Sequence, residues 1–169
     1  MTKQSPSALP FRVGLGTDLH RIVSGRPLML AGVEIESPFG LDGHSDADVV
    51  LHAVIDALLG AAGLPDIGEL FPNSDPSYQG ADSRDLMRTA LDRVRDAGFA
   101  PINVDLVIHA ERPAIGPEKS RMRASLSALL GVHESCVNLK GKSGEGIGII
   151  GKGEGISCTA VALLGRIGE

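Results

Sequence analysis

One helical segment stands out near the start of the chain. In residues 45–62 the apolar side chains recur at the three- and four-residue spacing of a single helix face, at Leu51, Val54, Ile55, Leu58 and Leu59. Gly63 and Pro65 then end the segment. Strand-like segments precede it, at residues 11–20 and 28–36. The chain must therefore combine this helix with β-structure.

Helices and strands stay interspersed over the remaining residues. Helices are predicted at 82–97, with Asp82 as N-cap, and at 116–130; strands are predicted at 102–110, 137–140 and 156–166. Residues 66–80 are rich in Pro, Gly, Asn and Asp, which predicts a functional loop.

The order of these elements is not a strict βαβ repetition. It favours an α+β fold, a single-domain sandwich of a mixed β-sheet with helices on one face. At 169 residues one domain is expected. Residues 1–10 are predicted to be a flexible N-terminal tail and residues 11–169 the domain.

Composition excludes several kinds of protein. The net charge of -5 and the four Phe, one Tyr and no Trp argue against nucleic-acid binding, which needs a basic face and often stacking platforms. No apolar run is long enough to span a bilayer, so no membrane partner is expected. Cys136 and Cys158, the only cysteines, have no disulfide or CxxC spacing, which favours a reduced cytoplasmic protein.

Candidate metal ligands lie on the first strand and on the first helix. Asp18 and His20 are two residues apart, so a strand sends both side chains to one face. With His52 they give two imidazoles and a carboxylate, which suit a zinc-type ion with one coordination position open. Each pattern alone also fits a structural or surface role without a metal, because Asp-x-His pairs are common and a lone His on an apolar helix is often a core group.

The residues Gly43-His44-Ser45-Asp46-Ala47-Asp48 open the predicted helix. A helix start offers unpaired N–H groups to a phosphate, and His44 and Ser45 can add donors there. Alternatively, Ser45 and Asp46 only cap the helix. Asp48 and Asp56 flank His52 at four-residue spacing, so either could orient it.

Four separated blocks, in this order and spacing, resemble the family of 2-C-methyl-D-erythritol 2,4-cyclodiphosphate synthases. They are TDLH, GHSDADVVLHAVIDALLGAAGLPDIGELFP, GADSRDLM and GKGEGISC, and the likeness covers residues 12–165. It implies a phosphorus-oxygen lyase of the non-mevalonate isoprenoid pathway. That enzyme converts 4-diphosphocytidyl-2-C-methyl-D-erythritol 2-phosphate to the 2,4-cyclodiphosphate and CMP by metal-assisted intramolecular phosphoryl transfer.

The resemblance also implies roles for individual residues. Asp18, His20 and His52 hold zinc, and Glu145 holds a second divalent ion, Mg²⁺ or Mn²⁺, with the diphosphate. His44 and Ser143 are catalytic. The implied substrate-binding residues are Asp18, His20, His44, Ser45, Asp66, Ile67, Gly68, Phe71, Pro72, Asn73, Ser74, Asp75, Ala110, Glu111, Arg112, Pro113, Ala114, Ile115, Gly116, Lys142, Ser143, Gly144, Glu145, Ile149 and Lys152.

The implied assembly is a homotrimer with active sites between subunits. Residues 110–116 and 142–145 would border the cytidine and diphosphate of a neighbouring subunit, and Lys152 and Glu154 would lie near a central cavity able to take an isoprenoid diphosphate. The chain departs from the family pattern at Asn73, usually Asp, and at Lys152, usually Arg. Lys142, Ser143 and Gly144 stand in place of a run of threonines.

Two other functions fit the candidate zinc ligands. A zinc phosphoesterase would use metal-bound water at the same three-ligand site. A non-catalytic, zinc-stabilised trimer would only bind isoprenoid diphosphates. The glycine-rich residues 141–155 do not follow the order of a Walker A motif, so an NTPase is disfavoured.

Overall fold

The computed structural model describes residues 10–72 and 74–168. The predicted tail, apart from Pro10, and the substrate-loop residue Asn73 lie outside the described residues. The strands are β1 (Phe11–Ser24), β2 (Leu28–Leu30), β3 (Val33–Ile35), β4 (Phe39–Leu41), β5 (Phe99–His109), β6 (Val137–Lys142) and β7 (Gly155–Arg166). The helices are α1 (Val49–Ala62), α2 (Ile67–Leu70), α3 (Ser83–Asp96), α4 (Lys119–Leu130) and α5 (Gly148–Gly151).

The main sheet is mixed. Within the described residues it has the order β4-β1-β7-β5-β6, and β2 and β3 form a separate hairpin. β5 and β6 run parallel, whereas β1 pairs antiparallel with both β4 and β7. The predicted α+β architecture with a mixed sheet is thus confirmed.

One face of the sheet carries the helices. α1 packs on β1 and β7, α3 packs on β5, and α4 packs on β6. Gly14 and Gly16 allow α1 to come very close to β1, because a Cβ at either glycine would lie 2.0 Å from a carbonyl oxygen of α1. This close approach brings the later inward-facing residues of β1, Asp18 and His20, next to His52 on α1.

The opposite face of the sheet is apolar and exposed. Alternate residues of β1 point there, namely Phe11, Val13, Leu15 and Leu19, and Val161 lies opposite Leu15 on β7. Soluble monomers rarely expose a large contiguous apolar patch, so a face of this kind is typical of an interaction surface. No helix in the described part of the chain is both long and apolar enough to cross a membrane.

Several predicted boundaries were wrong. The strand expected at 28–36 is a hairpin, turned at Ala31 and Gly32, which have φ values of 57° and 74°. The first helix begins at Val49 rather than at residue 45, because Asp48 is its N-cap. The loop at 66–80 contains the short helix α2, and β4 and α5 were not predicted.

Candidate active site

Three side chains meet where β1 crosses α1. Asp18 Oδ2 lies 2.9 Å from His20 Nε2 and 3.0 Å from His52 Nδ1, and the two imidazole nitrogens are 3.1 Å apart. Strand geometry places Asp18 and His20 on the same face, and the close packing of α1 supplies His52. The predicted metal ligands therefore form one cluster, which we call the DHH cluster.

The donor set fits a divalent metal ion. Zinc binds imidazole nitrogen and carboxylate oxygen at about 2.0–2.2 Å, and three donors about 3 Å apart can all reach one ion at that distance. The other nitrogen of each ring already has a partner: His20 Nδ1 lies 2.6 Å from the carbonyl oxygen of Asp42, and His52 Nε2 lies 2.9 Å from Ser83 Oγ. Both rings thus present one nitrogen to the cluster.

Asp18 and His20 shift each other's pKa in opposite directions. Burial acts to raise the pKa of Asp18, but hydrogen bonds and the charge of His20 and His52 outweigh it and hold that pKa well below its usual value. Burial acts to lower the pKa of His20, and the Asp18 carboxylate and the Asp42 carbonyl oxygen reverse the direction and raise it. Asp18 is therefore ionised, as a metal ligand must be.

The DHH cluster lines a cavity of about 230 Å³. Phe71 and Tyr78 contribute apolar wall, with their rings edge to face at 5.3 Å. The lining residues are Asp18, His20, Gly43, His44, Ser45, His52, Asp56, Ile67, Gly68, Phe71, Tyr78 and Leu86. This cavity combines apolar wall with a small number of polar groups, which is the usual make-up of a small-molecule site.

The segment 43–46 at the cavity is held in place by its backbone. The Arg26 guanidinium donates to the carbonyl oxygens of Gly43 at 2.8 Å and Ser45 at 2.5 Å. Gly80 N–H donates to the His44 carbonyl oxygen at 2.7 Å. These bonds fix the positions of His44 and Ser45 without using their side chains.

The sequence predicted that unpaired N–H groups at the start of α1 would bind a phosphate, and the structure contradicts this reason. Asp48 is completely buried, and its carboxylate accepts from the N–H groups of Val50 and Leu51. Since these groups are already satisfied, the helix start is not open to a phosphate. His44 and Ser45 nevertheless line the cavity.

Neither carboxylate predicted to orient His52 does so. Asp48 also accepts from the N–H groups of Ala31 and Gly32, so its carboxylate ties α1 to the β2–β3 turn. Asp56 accepts from Ile67 N–H at 2.8 Å. The partners of His52 Nε2 are instead hydroxyl groups, of Ser83 at 2.9 Å and of Ser45 at 3.2 Å.

The substrate loop is only partly brought to the cavity. Ile67, Gly68 and Phe71 line it, whereas the carboxylates of Asp66 and Asp75 cap short helical turns. The Asp75 carbonyl oxygen lies 3.4 Å from His44 Nε2, which puts the end of this loop beside the cavity. Pro72 and Ser74 are not lining residues.

Another set of predicted residues lies together at the end of the parallel strands β5 and β6. We call residues 110–116 and 142–145 the β5–β6 edge. Ala110 N–H donates to the Lys142 carbonyl oxygen, and Gly144 N–H donates to Glu111 Oε2, both at 2.9 Å. This edge does not line the DHH cavity of its own chain. Its members are Ala110, Glu111, Arg112, Pro113, Ala114, Ile115, Gly116, Lys142, Ser143, Gly144 and Glu145.

Ile149 belongs to a different cavity. That cavity, of about 250 Å³, is lined by Leu19, His20, Arg21, Ile149, Glu154 and Gly155. Lys152 is exposed and is not one of the lining residues.

Sequence reasoning missed several residues of the site. Tyr78 and Leu86 line the cavity, and Asp42 and Ser83 are the polar partners of the two histidines. The block GADSRDLM contains Ser83, but nothing in its local pattern indicates contact with a histidine 31 residues earlier.

Comparison with known proteins gives one family. The family model that matches residues 11–165 is described as the YgbB family. The 2-C-methyl-D-erythritol 2,4-cyclodiphosphate synthase of Bordetella petrii is 56% identical over 94% of this chain and 98% of its own. The synthase of the same name from Dechloromonas aromatica is 51% identical over 94% of this chain and 99% of its own.

Solved structures agree with these relatives. A 2C-methyl-D-erythritol-2,4-cyclodiphosphate synthase in a CDP-bound form is 40% identical, with a TM-score of 0.84, and the match covers 90% of this chain and 99% of that one. The bifunctional IspDF of Campylobacter jejuni is 39% identical, with a TM-score of 0.89 over 93% of this chain. This chain spans only 42% of that bifunctional protein.

Proposed function

The chain belongs to the YgbB family, and we propose that it catalyses the reaction for which its relatives are named. It converts 4-diphosphocytidyl-2-C-methyl-D-erythritol 2-phosphate to 2-C-methyl-D-erythritol 2,4-cyclodiphosphate and CMP, in the non-mevalonate isoprenoid pathway. An oxygen of the 2-phosphate bonds to the β-phosphorus, the bond from that phosphorus to the bridging oxygen breaks, and CMP leaves with that oxygen. The enzyme is thus a phosphorus-oxygen lyase.

One observation carries the proposal: the DHH cluster lies in the same cavity as His44 and Ser45. Attacking and leaving groups belong to one substrate, so the protein must chiefly fold that substrate into line and offset its charge. Asp18, His20 and His52 would hold a zinc-type ion, which would supply positive charge and Lewis acidity beside the diphosphate. No protein nucleophile is required.

Ser45 is suited to donate to a phosphate oxygen. Its Oγ accepts from Ala47 N–H at 3.1 Å and lies 3.2 Å from the Nε2 of His52. A hydroxyl has one hydrogen and two lone pairs, so the Ser45 hydrogen stays available to the substrate when Ser45 Oγ accepts from Ala47 and shares the single Nε2 hydrogen of His52 with Ser83. We assign His44, half-buried on the same segment, to the phosphates and to catalysis, because its backbone is fixed on both sides.

The β5–β6 edge supplies the remaining substrate contacts to a neighbouring copy in this proposal. Lys142, Ser143 and Glu145 are exposed and do not line the cavity of their own chain, as residues that serve a neighbour should be. The apolar outer face of the sheet offers a surface for assembly. The assembly is a homotrimer, Ser143 contacts the diphosphate, and Glu145 holds a second divalent ion, Mg²⁺ or Mn²⁺.

An isoprenoid diphosphate is the ligand proposed for the centre of that trimer. Leu19 and Ile149 give the second cavity an apolar part, Arg21 adds a cation to its lining, and the exposed cation Lys152 lies a few residues along the chain from Ile149. Lys keeps the positive charge of the usual Arg but lacks its bidentate fork, so phosphate binding there is expected to be weaker. A cytoplasmic location remains a prediction and fits the two free thiols, Cys136 and Cys158.

Phosphorus NMR of the products tests the function. The protein is incubated with the diphosphocytidyl substrate and divalent metal, and CMP with the cyclic diphosphate is the expected result. The His52→Ala variant, which removes one cluster nitrogen, should abolish turnover and keep the fold. An open diphosphate or monophosphate would instead indicate a phosphoesterase, and binding without CMP release would indicate a non-catalytic protein. Light scattering that found an active monomer would overturn the trimer.

A further inference from the structure

His52 has different partners at its two ring nitrogens. Nδ1 faces the DHH cluster, 3.0 Å from Asp18 Oδ2, whereas Nε2 faces away from it, 2.9 Å from Ser83 Oγ and, at a longer distance of 3.2 Å, from Ser45 Oγ. A neutral imidazole carries its hydrogen on one nitrogen and a lone pair on the other. Whichever nitrogen holds the hydrogen cannot bind a metal, so the partner at Nε2 decides whether His52 can be a ligand.

Ser83 cannot donate to His52, because its hydrogen is already used. Ser83 Oγ donates to Asp46 Oδ1 at 2.5 Å, and Ser83 N–H donates to Asp46 Oδ2 at 3.1 Å. An ionised carboxylate only accepts hydrogen bonds, so the single hydroxyl hydrogen of Ser83 must point to Asp46. The contact between Ser83 Oγ and His52 Nε2 must then be a bond that His52 donates.

We propose that Asp46 and Ser83 are positioning residues that hold His52 as its Nε2–H tautomer and thereby turn the Nδ1 lone pair toward the metal. Ser83 is fully buried, so water does not compete for its hydroxyl group. The proposal deepens the metal site assumed in the proposed function and rests on it for its biological purpose, but the position of the hydrogen on His52 and the zinc affinity are both measured without the substrate.

The two histidines are oriented by different devices. His20 Nδ1 donates to the backbone carbonyl oxygen of Asp42 at 2.6 Å, which leaves Nε2 for the cluster. A backbone carbonyl oxygen cannot be removed by substitution. The groups that orient His52 are the side chains of Ser83 and Asp46, which can be substituted. These contacts also join three parts of the chain, since Asp46 precedes α1, His52 lies on α1 and Ser83 begins α3.

A purely structural role for the same contacts makes a different prediction. Asp46 also accepts from Asp48 N–H at 3.2 Å, and Asp46 N–H donates to the Ala81 carbonyl oxygen at 3.0 Å. A clamp that only tied this loop to α3 would affect stability and leave the tautomer of His52 unchanged. Tautomer and metal affinity therefore separate the two roles.

The experiment uses Ser83→Ala, Asp46→Asn and the control Asp82→Ala. Asp82 caps the same end of α3 and pairs with Arg84, so its loss perturbs the helix start without removing a partner of His52. Nitrogen-15 NMR of labelled histidine in the metal-free protein, at a pH where the rings are neutral, reports whether His52 holds its hydrogen at Nε2, beside Ser83, or at Nδ1, where the Asp18 carboxylate competes for it. Competition with a chelator gives the zinc dissociation constant.

Wild type and Asp82→Ala should show the Nε2–H tautomer of His52. Ser83→Ala should give a mixture of tautomers and bind zinc about 10- to 100-fold more weakly, the usual cost of losing such a partner. Asp46→Asn should also lose the single tautomer, because an amide brings an N–H that can reverse the chain of hydrogen bonds. This second variant keeps the size of Asp46 and guards against misfolding of Ser83→Ala.

An unchanged tautomer and zinc affinity in both variants would overturn the proposal, as would equal losses in Asp82→Ala. Failure of both variants to fold would also overturn the proposal, because the contacts among Asp46, Ser83 and His52 would then be needed for folding. If the tautomer responds as expected and wild type makes no cyclic diphosphate, the positioning role stands and the proposed function fails. The two inferences are therefore tested separately.

Discussion

The DHH cluster and the β5–β6 edge both carry residues of the family pattern, yet they differ in how far one chain can organise them. Asp18, His20 and His52 are partly buried and hold one another at about 3 Å. At the edge, Ser143 and Glu145 are exposed, and the side-chain bond that the structure shows there joins Glu111 to a backbone N–H. The three candidate metal ligands are thus brought together within one chain, whereas the edge residues do not line that chain's DHH cavity.

The carboxylates that stabilise the structure next to the two regions also differ in burial. Asp48, beside the DHH cluster, is buried and accepts from four backbone N–H groups. Asp105, on the strand that leads to the edge, is half-exposed and pairs with Lys140 at 2.6 Å. Buried carboxylates that satisfy several donors contribute more than exposed ion pairs. Variants at each region can test whether this contrast holds.

The largest effect is expected from Asp48→Ala. It removes the N-cap of α1 and leaves buried N–H groups of two elements without an acceptor, at roughly 3–5 kcal/mol of unfolding free energy. Urea unfolding followed by circular dichroism measures it. Asp48→Asn keeps one oxygen and should lose less. A loss below about 1 kcal/mol for Asp48→Ala would erase the difference between the two regions.

Ser143→Ala should lower turnover by about 10- to 1000-fold, or about 1.4–4 kcal/mol in the barrier, if its hydroxyl group donates to the diphosphate as charge shifts at the β-phosphorus. KM should change less than kcat, because the bond matters most in the transition state. Ser143→Thr keeps the donor and should be nearly neutral. Steady-state kinetics of both variants decides the matter.

Unchanged turnover in Ser143→Ala would assign that hydroxyl group to the turn of a glycine-rich loop. The β5–β6 edge would then lose its catalytic residue, and the metal ions and His44 would carry the reaction. Unfolding free energies should stay within about 0.5 kcal/mol of wild type in both variants, because the side chain is on the surface.

The sequence predicted all three members of the DHH cluster. A strand period of two places Asp18 and His20 together, His52 on the first predicted helix supplied the third candidate ligand, and the resemblance to the family implied the same three residues. Ser83 and Asp46 escaped prediction because their bond joins positions 37 residues apart, which leaves no periodic signal. The close packing of α1 on β1 at Gly14 and Gly16 was not predicted from the sequence, and it is the structure that shows it.

Capping explains why the start of α1 was misplaced. Ser45, Asp46 and Asp48 are all good N-cap residues, so the local sequence offers three possible starts. Asp48 is the cap because its carboxylate also binds the turn of the β2–β3 hairpin, a contact that no local pattern encodes. The residues of the β5–β6 edge were likewise not predicted from local pattern. They were identified through the resemblance to the family, and they do not line the DHH cavity of the same chain.

The smallest effect is expected from Asp105→Asn, and its sign depends on pH. The hydrogen bond from Lys140 is the main cause that lowers the pKa of Asp105 from its usual 3.8. A carboxyl group whose pKa is lower in the folded state stabilises the fold above its unfolded-state pKa, and that contribution disappears as the pH falls through the folded-state pKa. At pH 7 the variant should lose less than about 1 kcal/mol of unfolding free energy, and less still in 1 M salt, because the pair is exposed to solvent. Urea unfolding of both proteins between pH 7 and pH 2 should show the difference shrinking on the acid side, with zinc affinity unchanged. A difference that stayed constant on acidification would exclude the charge of Asp105 as its source, and one as large as that of Asp48→Ala would place the β5–β6 edge on a support as strong as that of the DHH cluster.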